Sequence, residues 1–563
     1  MKRILKLFFV FLFLIIFSNI FKEKVFALTT DPSKLGIVTN GTIYDIVTDG
    51  NQAYISGIFS KVGPSIGAMG LFNLNTFSLT RPDKVYGDIN VIISDGSDGW
   101  YIGGSFTKVG NHTTKRVAHI NNNGTVDTNF TANVSNNSVY SLLLYNGKLY
   151  IGGNFTSING VADNRIYIAA LSSTDGTLDA WYPGGQQNYV NEIGVYDGNI
   201  YWYVSSFYKI YRASVATGTK DNGWLIELNS GVYDWYITED GYIYLAGAGF
   251  TTINSVACSS RFTKVKISDY SIDPLNLALN GTVRKIYFSG DTLYLAGDFT
   301  SILGSTRNRF AKVNTLTTVS TLDDLDVNAN DSIYDFNISG TNLYLGGKFT
   351  TVSATSRIGF ASYDLTNLQL NAWNPGVLNG YINDIYVYGA QIVLGGDFTS
   401  MDVVTRYGLA SYNTSTGVIS AWAPYTDTYL NYALYIEQDA SNIYLVGRFK
   451  SVNGTARCNI AAVSKASGEL QVLNKKLSNN STCPSYDDAR VRTAYVDNGI
   501  LYVGGDFDYV DGVSQKYFAA YNLSDFSKVD FNPAANDIII SIKVYDNKLY
   551  LGGLFTNIGG QAR

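Results

Sequence analysis

The chain has 563 residues, of which 15% are charged and 14% aromatic, and its formal net charge is −5. Soluble domains usually carry about 25% charged residues, so uncharged polar residues and tyrosine must cover much of this surface. The negative charge argues against the basic surface that a nucleic-acid partner requires. Only two histidines are present, which argues against histidine-rich metal sites.

Residues 1–27 differ from everything that follows them. Three basic residues precede an apolar run over 7–17, and a small residue, Ala27, follows at a suitable cleavage position. This order is typical of a secretory signal peptide. A retained N-terminal anchor is the alternative, although a spanning helix needs roughly 20 apolar residues. We expect export, cleavage after Ala27, and a mature chain 28–563 without a transmembrane helix, secreted or at the cell surface.

One motif recurs about every 50 residues through the rest of the chain. The segment LYIGGNFTSI from Leu149 returns as LYLGGKFTTV from Leu343 and as LYVGGDFDYV from Leu501. Its phenylalanine is found in eight strong copies, at Phe106, Phe155, Phe299, Phe349, Phe398, Phe449, Phe507 and Phe555, and in three weaker ones, at Phe59, Phe207 and Phe250. Kelch-type propeller blades have about this length, whereas helical solenoid repeats are shorter.

Each repeat contains four short apolar segments separated by turn residues. In the unit from Ile382 to Trp422, these segments are 382–388, 392–394, 406–412 and 418–422. The first two are usually joined by a dipeptide that favours a type I′ turn, such as Asn146-Gly147 or Ser289-Gly290. The sequence therefore predicts an all-β propeller array of about eleven four-stranded repeats, arranged as one large ring or as two tandem propellers.

The repeated residues have roles that every blade needs. The Gly-Gly doublet ends the second strand where a side chain would block a neighbouring blade or force a strained φ, and the phenylalanine is expected to pack between blades. Three tryptophans, Trp181, Trp373 and Trp422, are expected to pack on outer strands. A downstream arginine is expected to bind loop carbonyls; its copies are Arg116, Arg165, Arg309, Arg357, Arg406, Arg457 and Arg563.

The segment LYIGGNFTSINGVADNRIYIAALSSTDGTLDAWYP, from Leu149 to Pro183, resembles the tandem propeller repeats of unknown function in bacterial secreted and cell-surface proteins. It is more remotely similar to kelch repeats and to the blades of a fungal cortical marker protein. This resemblance covers nearly all of the mature chain and implies a propeller and export, but no activity. Two units depart from the pattern, at Phe207 and Phe250, so we expect a seam or a special face near residues 190–260.

The end of the sequence and its cysteines give two further expectations. The chain stops at Arg563, before the third strand of its last unit, so we expect that unit to be incomplete and the reading frame to be truncated. Cys458 and Cys483 lie on one side of the longest unit and are expected to form a disulfide in an oxidising exterior, leaving Cys258 free. The alternative is that both stay reduced.

An acidic residue recurs in the first strand of several repeats, at Asp45, Glu192, Asp234, Asp335 and Asp384. First strands line the central channel of a propeller, so these carboxylates form either a cation-binding rim or a solvated channel mouth. The candidate metal ligands are Asp45, Asp234, Asp335 and Asp384. Other residue types, Ser141, Lys285, Thr493 and Ser541, occupy the same place in other repeats. No motif predicts a cofactor.

These observations favour an exported binding or structural module without catalytic activity. Its many tyrosines suit contact with an unidentified protein or glycan at the cell surface, and nucleic acid is not expected. The alternative is a polysaccharide hydrolase or lyase that uses the channel carboxylates. A structural component of a surface layer is a third possibility.

Overall fold

The computed structural model describes residues 37–562, except for 50–51, 77, 98, 161–164, 185–187, 274, 315–319, 414–417, 427–434, 482–488 and 546–547. All regular secondary structure in these residues is β-strand, which confirms the all-β prediction. This part of the chain contains no helix with the length and apolar character needed to cross a membrane. The predicted signal peptide, residues 1–27, lies outside the described residues.

Seven antiparallel sheets, blades 1 to 7, surround one channel, and we call this unit the ring. Each blade contributes its first strand to the channel wall. From the axis outward, the described strands are Ile89–Ser94, Trp100–Gly104 and Val117–Ile120 in blade 1; Val139–Tyr145, Lys148–Gly153 and Ile168–Ser172 in blade 2; Val190–Tyr196, Asn199–Val204, Lys209–Ser214 and Ile226–Glu227 in blade 3; Val232–Ile237, Tyr242–Gly247, Phe262–Lys266 and Ile272–Asp273 in blade 4; Val283–Ser289, Thr292–Gly297, Phe310–Asn314 and Thr321–Leu322 in blade 5; Ile333–Ser339, Asn342–Gly347, Phe360–Asp364 and Gln369–Leu370 in blade 6; Tyr381–Tyr388, Gln391–Asp397, Met69–Asn73 and Ser78–Thr80 in blade 7.

The ring closes where blade 7 meets blade 1. The two inner strands of blade 7 come from the end of the ring segment, and its two outer strands, Met69–Asn73 and Ser78–Thr80, come from near the start of the chain. The Asn383 amide of blade 7 donates to the carbonyl of Ile89 in blade 1 at 3.0 Å. Strands distant in sequence therefore close the ring.

The remaining sheets, blades 8 to 11, follow one another in a second unit that we call the array. Their described strands are Thr42–Asp49, Gln52–Ile58 and Leu409–Asn413 in blade 8; Tyr435–Gln438, Asn442–Val446 and Ile460–Ser464 in blade 9; Arg490–Asp497, Ile500–Asp506 and Phe518–Asn522 in blade 10; Ile539–Tyr545 and Lys548–Gly553 in blade 11. The eleven motif copies therefore divide into seven in the ring and four in the array.

Over the residues that the structure describes, the chain passes between the ring and the array twice. It leaves blade 8 after Ile58 to supply the outer strands of blade 7, and it returns after Asp397 to supply Leu409–Asn413 to blade 8. The prediction that residues 382–422 form one blade is therefore wrong. The first two strands of this segment belong to blade 7 of the ring, whereas its third strand belongs to blade 8 of the array. The two crossings pair with each other in a small sheet of Ile37–Thr39, Lys61–Pro64 and Val404–Thr405.

Short strands complete the loops and the outer edges. Two-residue strands pair in these loops: Val85–Tyr86 with Lys108–Val109, Val134–Ser135 with Ser157–Ile158, Thr252–Ile253 with Val256–Ala257, Ser301–Ile302 with Ser305–Thr306, Thr351–Val352 with Thr355–Ser356, Val377–Leu378 with Ser400–Met401, Ser451–Val452 with Thr455–Ala456, Leu477–Ser478 and Val513–Ser514 with Tyr509–Val510, and Asn557–Ile558 with Gln561–Ala562. The fourth strand is reduced to a single bridge in some blades, as at Leu171 and Leu178 in blade 2.

The glycine doublet is required by close packing. A Cβ at Gly346 would lie 2.6 Å from Ile382 of the next blade, and one at Gly347 would lie 2.2 Å from the carbonyl oxygen of Ser332 in its own blade. Neither glycine has a positive φ, so backbone strain, the other predicted reason, does not apply. Seven of the eight strong-copy phenylalanines are buried and Phe555 is half-buried.

Arginine and tryptophan side chains bind backbone carbonyls. The Arg357 guanidinium donates to the carbonyls of Ser356 at 3.0 Å and Asn371 at 2.8 Å, and Arg406 and Arg457 repeat this pattern. Arg116 and Arg309 follow the motif phenylalanine by two residues more than Arg357 does and have φ of 69° and 70°. They also donate to backbone carbonyls, those of Phe106 and Asp298. The Trp422 indole donates to Ser464 of blade 9, and the Trp181 indole to Ser214 of blade 3, so these tryptophans join adjacent blades.

The turn prediction holds where asparagine or aspartate precedes glycine. Asn146 and Gly147 have φ of 51° and 71°, as a type I′ turn requires. Ser289, by contrast, lies within its strand, and the turn begins at Gly290. The Ser289-Gly290 turn prediction is therefore wrong by one residue.

Replacing Phe349 by alanine is expected to lower the free energy of unfolding by about 3 to 5 kcal/mol, because a fully buried aromatic ring is lost. Phe207→Ala is the matched control: Phe207 is 42% exposed, so the expected loss is within about 0.5 kcal/mol. Urea unfolding measures both. A loss below about 1 kcal/mol for Phe349→Ala would contradict the packing role.

Candidate functional site

The first strand of every ring blade carries a register shift at the same place. In blade 6, for example, the pairing with the second strand skips from Ile333 to Asp335. The residue after the shift faces the channel; these residues, which we call the channel layer, are Val91, Ser141, Glu192, Asp234, Lys285, Asp335 and Asp384. Such a bulge changes the direction in which a side chain points. The seven bulges therefore place seven equivalent side chains around one cavity of about 740 Å³.

Four side chains of the channel layer, those of Ser141, Asp234, Asp335 and Asp384, each join their blade to the next one. One oxygen of Asp335 accepts the backbone N–H of Ile385 in blade 7 at 2.7 Å. Asp234 accepts the N–H of Ile286 at the same distance, and Asp384 accepts the N–H of Ile92, across the closure. The recurrence of an oxygen-bearing side chain is therefore explained by blade assembly.

The same bond is present outside the ring and with a hydroxyl. Ser141 accepts the N–H of Ile193 at 3.0 Å, so a carboxylate is not required for it. In the array, Asp45 accepts the N–H of Ile436 in blade 9 at 2.8 Å. Asp45 is thus the counterpart of the ring aspartates, but it is not in their channel.

The channel layer has an excess of negative charge. Four carboxyl groups, Glu192, Asp234, Asp335 and Asp384, share the layer with one ammonium group, Lys285, whose Nζ lies 3.5 Å from Oδ1 of Asp335. Burial, and then the neighbouring Asp234, raise the pKa of Glu192 to about 8. Burial also raises the pKa of Asp234, and burial together with Asp335 raises that of Asp384. The surrounding carboxylates, Asp234 first, raise the pKa of Lys285.

A polar and aromatic rim lies beside this layer. The residues skipped by the register shifts also line the cavity; they are Asn90, Tyr140, Asn191, Tyr233, Arg284, Tyr334 and Asn383. Together with Tyr208, we call them the tyrosine mouth. Tyr233 is 49% exposed.

One guanidinium is already held at the tyrosine mouth. Arg284 binds the Asp298 carboxylate with two parallel bonds, Nε to Oδ1 at 2.9 Å and Nη2 to Oδ2 at 2.8 Å. Its guanidinium carbon lies 5.2 Å from the ring centre of Tyr233 and 5.0 Å from that of Tyr334. The rings at this mouth therefore present π faces to a cation.

Blade 3 has the irregular motif and a short link between its second and third strands. Its second and third strands are linked by residues 205–208 only, whereas blade 6 uses 348–359. Tyr203 replaces the first glycine of the doublet, and its hydroxyl accepts the N–H of Val232 at 3.0 Å. The irregular units at 190–260 are thus neighbouring blades of the ring; the chain changes units elsewhere, after Ile58 and after Asp397.

The structure separates the candidate metal ligands. Asp234, Asp335 and Asp384 meet in the channel layer, and Asp45 lies in the array. Within the described ranges, no group of three or more histidine, cysteine, aspartate or glutamate residues is arranged to hold a metal ion. Sequence reasoning missed the tyrosine mouth, although the position directly before each recurrent acidic residue would have identified Tyr233 and Tyr334.

The cysteines are described only in part. Cys258 is free and half-buried, and Cys458 is disulfide-bonded. Cys483 lies outside the described residues. The pairing of Cys458 with Cys483 stays a prediction.

One family model matches two segments of this chain, and several solved structures are similar to it. The family model "Domain of unknown function (DUF5122) beta-propeller" matches residues 96–130 and 146–180, in blades 1 and 2. Similar solved structures include the computationally designed Ika8 protein, with 12% identity over 65% of this chain and 96% of that one and a TM-score of 0.38. They also include the WD40 propeller domain of Doa1, with 12% identity, 57% and 92% coverage and a TM-score of 0.37. The WD40 domain of Neurospora crassa Pan2 has 10% identity, 64% and 94% coverage and a TM-score of 0.35. No curated protein matches the chain.

Glu192→Gln is expected to flatten the pH dependence of stability. A carboxyl whose pKa rises from 4.5 to about 8 on folding stabilises the fold below pH 4.5, and this contribution is lost as the pH rises through 8. The wild-type thermal midpoint should therefore fall between about pH 5 and pH 8, and the variant should fall less. Glu469→Gln, at an exposed position, is the control. Equal slopes for wild type and Glu192→Gln would contradict the shift.

Proposed function

We propose that this chain is an exported binding module that holds its ligand at the tyrosine mouth of the ring and catalyses no reaction. The observation that carries the proposal is the set of tyrosine, asparagine and arginine side chains around a cavity of about 740 Å³. Tyrosine offers a large apolar surface with a polar tip at low cost in conformational entropy. A cavity of this size with a few converging polar groups is typical of a ligand site.

The channel carboxylates have a structural role that requires no catalysis. Asp234, Asp335 and Asp384 each hold the N–H of the following blade through one oxygen. A residue that is needed once per blade recurs because of assembly, whereas a catalytic group is needed once per site. Their recurrence therefore supports a scaffold whose rim residues, which differ between blades, select the ligand.

One of the two histidines in blade 1 has a structural setting as well. His119 lies between two carboxylates, with Nε2 3.0 Å from Asp95 and Nδ1 2.9 Å from Asp127. Its ring stacks on Tyr101 with centres 4.7 Å apart. His119 is in the third strand of the blade, and neither it nor its partners line the channel, so His119 does not serve the tyrosine mouth.

Export is supported by two independent features. Residues 1–27 have the charged, apolar and small-residue order of a signal peptide. Cys458 is disulfide-bonded, and structural disulfides persist mainly outside the cytosol. A partner at the cell surface, either a protein or a glycan, fits both features.

The experiment is a binding screen of the purified chain on arrays of cell-surface peptides and cell-wall glycans. Tyr233→Ala is expected to weaken the selected interaction at least about tenfold, since an exposed aromatic anchor of the mouth is removed. Tyr44→Ala is the matched control, because Tyr44 occupies the equivalent skipped position in the array and is 37% exposed. Its affinity should equal that of the wild type.

Two results would contradict the proposal. Equal affinity loss in Tyr233→Ala and Tyr44→Ala would show that the mouth is not the site. Turnover of an arrayed glycan that disappears in Asp335→Asn and Asp384→Asn would instead support a polysaccharide hydrolase or lyase.

A further inference from the structure

We infer that the channel below the tyrosine mouth receives the cationic side chain of a lysine or arginine presented by a protein partner. This inference rests on the proposed function, because it names the ligand class of the same site. The cation would enter between the tyrosines and reach the carboxylates of the channel layer.

The charge balance of the layer favours a cationic guest. Lys285 is the one ammonium among four carboxyl groups, and it pairs most closely with Asp335. Burial first, and then the neighbouring carboxyl groups, raise the pKa of Glu192 and Asp384, so each of them holds a proton that an entering cation would displace. A second cation would therefore be attracted by a field that Lys285 only partly neutralises.

Asp335 provides a specific receptor atom. The residue is 3% exposed, and Oδ2 is committed to the N–H of Ile385. Its Oδ1 has no hydrogen-bond partner among the described residues; its nearest cation, Lys285 Nζ, is 3.5 Å away. Because a buried carboxylate oxygen without a hydrogen bond is costly, a donor placed in the channel would gain a strong charge-assisted bond.

The route to this atom suits a long side chain. The short link of blade 3, residues 205–208, contributes Ser205 and Tyr208 to the lining of the cavity that Glu192 also lines. The stacking of Arg284 between Tyr233 and Tyr334 shows that rings at this mouth already accept a guanidinium. Lysine and arginine combine a slender apolar stem with three or five N–H donors, so the stem passes the tyrosines while the donors reach carboxylates on different blades.

The test measures calorimetric binding of three probes to the full chain at low ionic strength. These are N-acetyl-lysine amide, its neutral counterpart N-acetyl-norleucine amide, and calcium chloride. The lysine probe is expected to bind and the norleucine probe is not, because only the ammonium meets the channel layer. Calcium binding that is lost in Asp335→Asn, without lysine binding, would overturn the inference in favour of a metal site.

Two variants give opposite expected changes. Asp335→Asn keeps an acceptor for the N–H of Ile385 but removes a charge, so lysine affinity should fall at least about tenfold. Lys285→Met removes the resident cation, so affinity should rise by about the same factor. Asp45→Asn is the matched control, with the equivalent bond to Ile436 outside the ring and no expected change. Thermal midpoints verify folding, and Lys285→Gln replaces Lys285→Met if the latter does not fold.

The outcomes separate this inference from the proposed function. Equal binding of the lysine and norleucine probes would overturn the inference of a cationic guest. So would a result in which neither Lys285 variant gains affinity for the lysine probe. If the lysine probe does not bind while an arrayed partner still depends on Tyr233, the inference fails and the proposed function stands. If neither the probe nor any arrayed partner depends on the mouth, both fail.

Discussion

The structure depends on one repeated bond, in which a side chain just after the first-strand bulge accepts a backbone N–H of the next blade. Asp335 does this for Ile385, Ser141 for Ile193 and, in the array, Asp45 for Ile436. The bulge turns the acceptor toward the axis, so the bond that joins blades also assembles a polar layer there. Blade assembly thereby places charge in the channel. The rim residues beside this layer differ between blades, because they do not make this bond.

The repeat was readable from sequence because packing imposes it in every blade. Gly346, Phe349 and Arg357 hold their positions through contacts that recur with the period of the motif. The exchange of strands between the ring and the array was not readable. Met69–Asn73 and Leu409–Asn413 both follow a Gly-Gly-type hairpin with an equivalent apolar pattern, so either fits either blade. The local apolar pattern therefore predicts that a segment forms a third strand, but it does not predict which hairpin that strand pairs with.

For a related reason, the sequence predicted the acidic residues of the candidate site but not its aromatic rim. Asp335 and Asp384 stood out because their position recurs, and the alignment with Ser141 and Lys285 placed all four in one layer. The rim did not stand out, since Tyr233 differs in type from its counterparts and tyrosine is common throughout the chain. The sequence could not predict that Asp45 is in a different unit from the other candidates, because the motif is the same in the blades of both units. Only the structure separates them.

The most direct test of this account is amide hydrogen exchange at Ile385. If Asp335 joins blades 6 and 7, Asp335→Ala should accelerate exchange of that amide, whereas Asp335→Asn, which retains an acceptor, should preserve protection. Protection that is unchanged in Asp335→Ala, with blades 6 and 7 equally stable in both variants, would contradict the claim that the channel layer joins the blades.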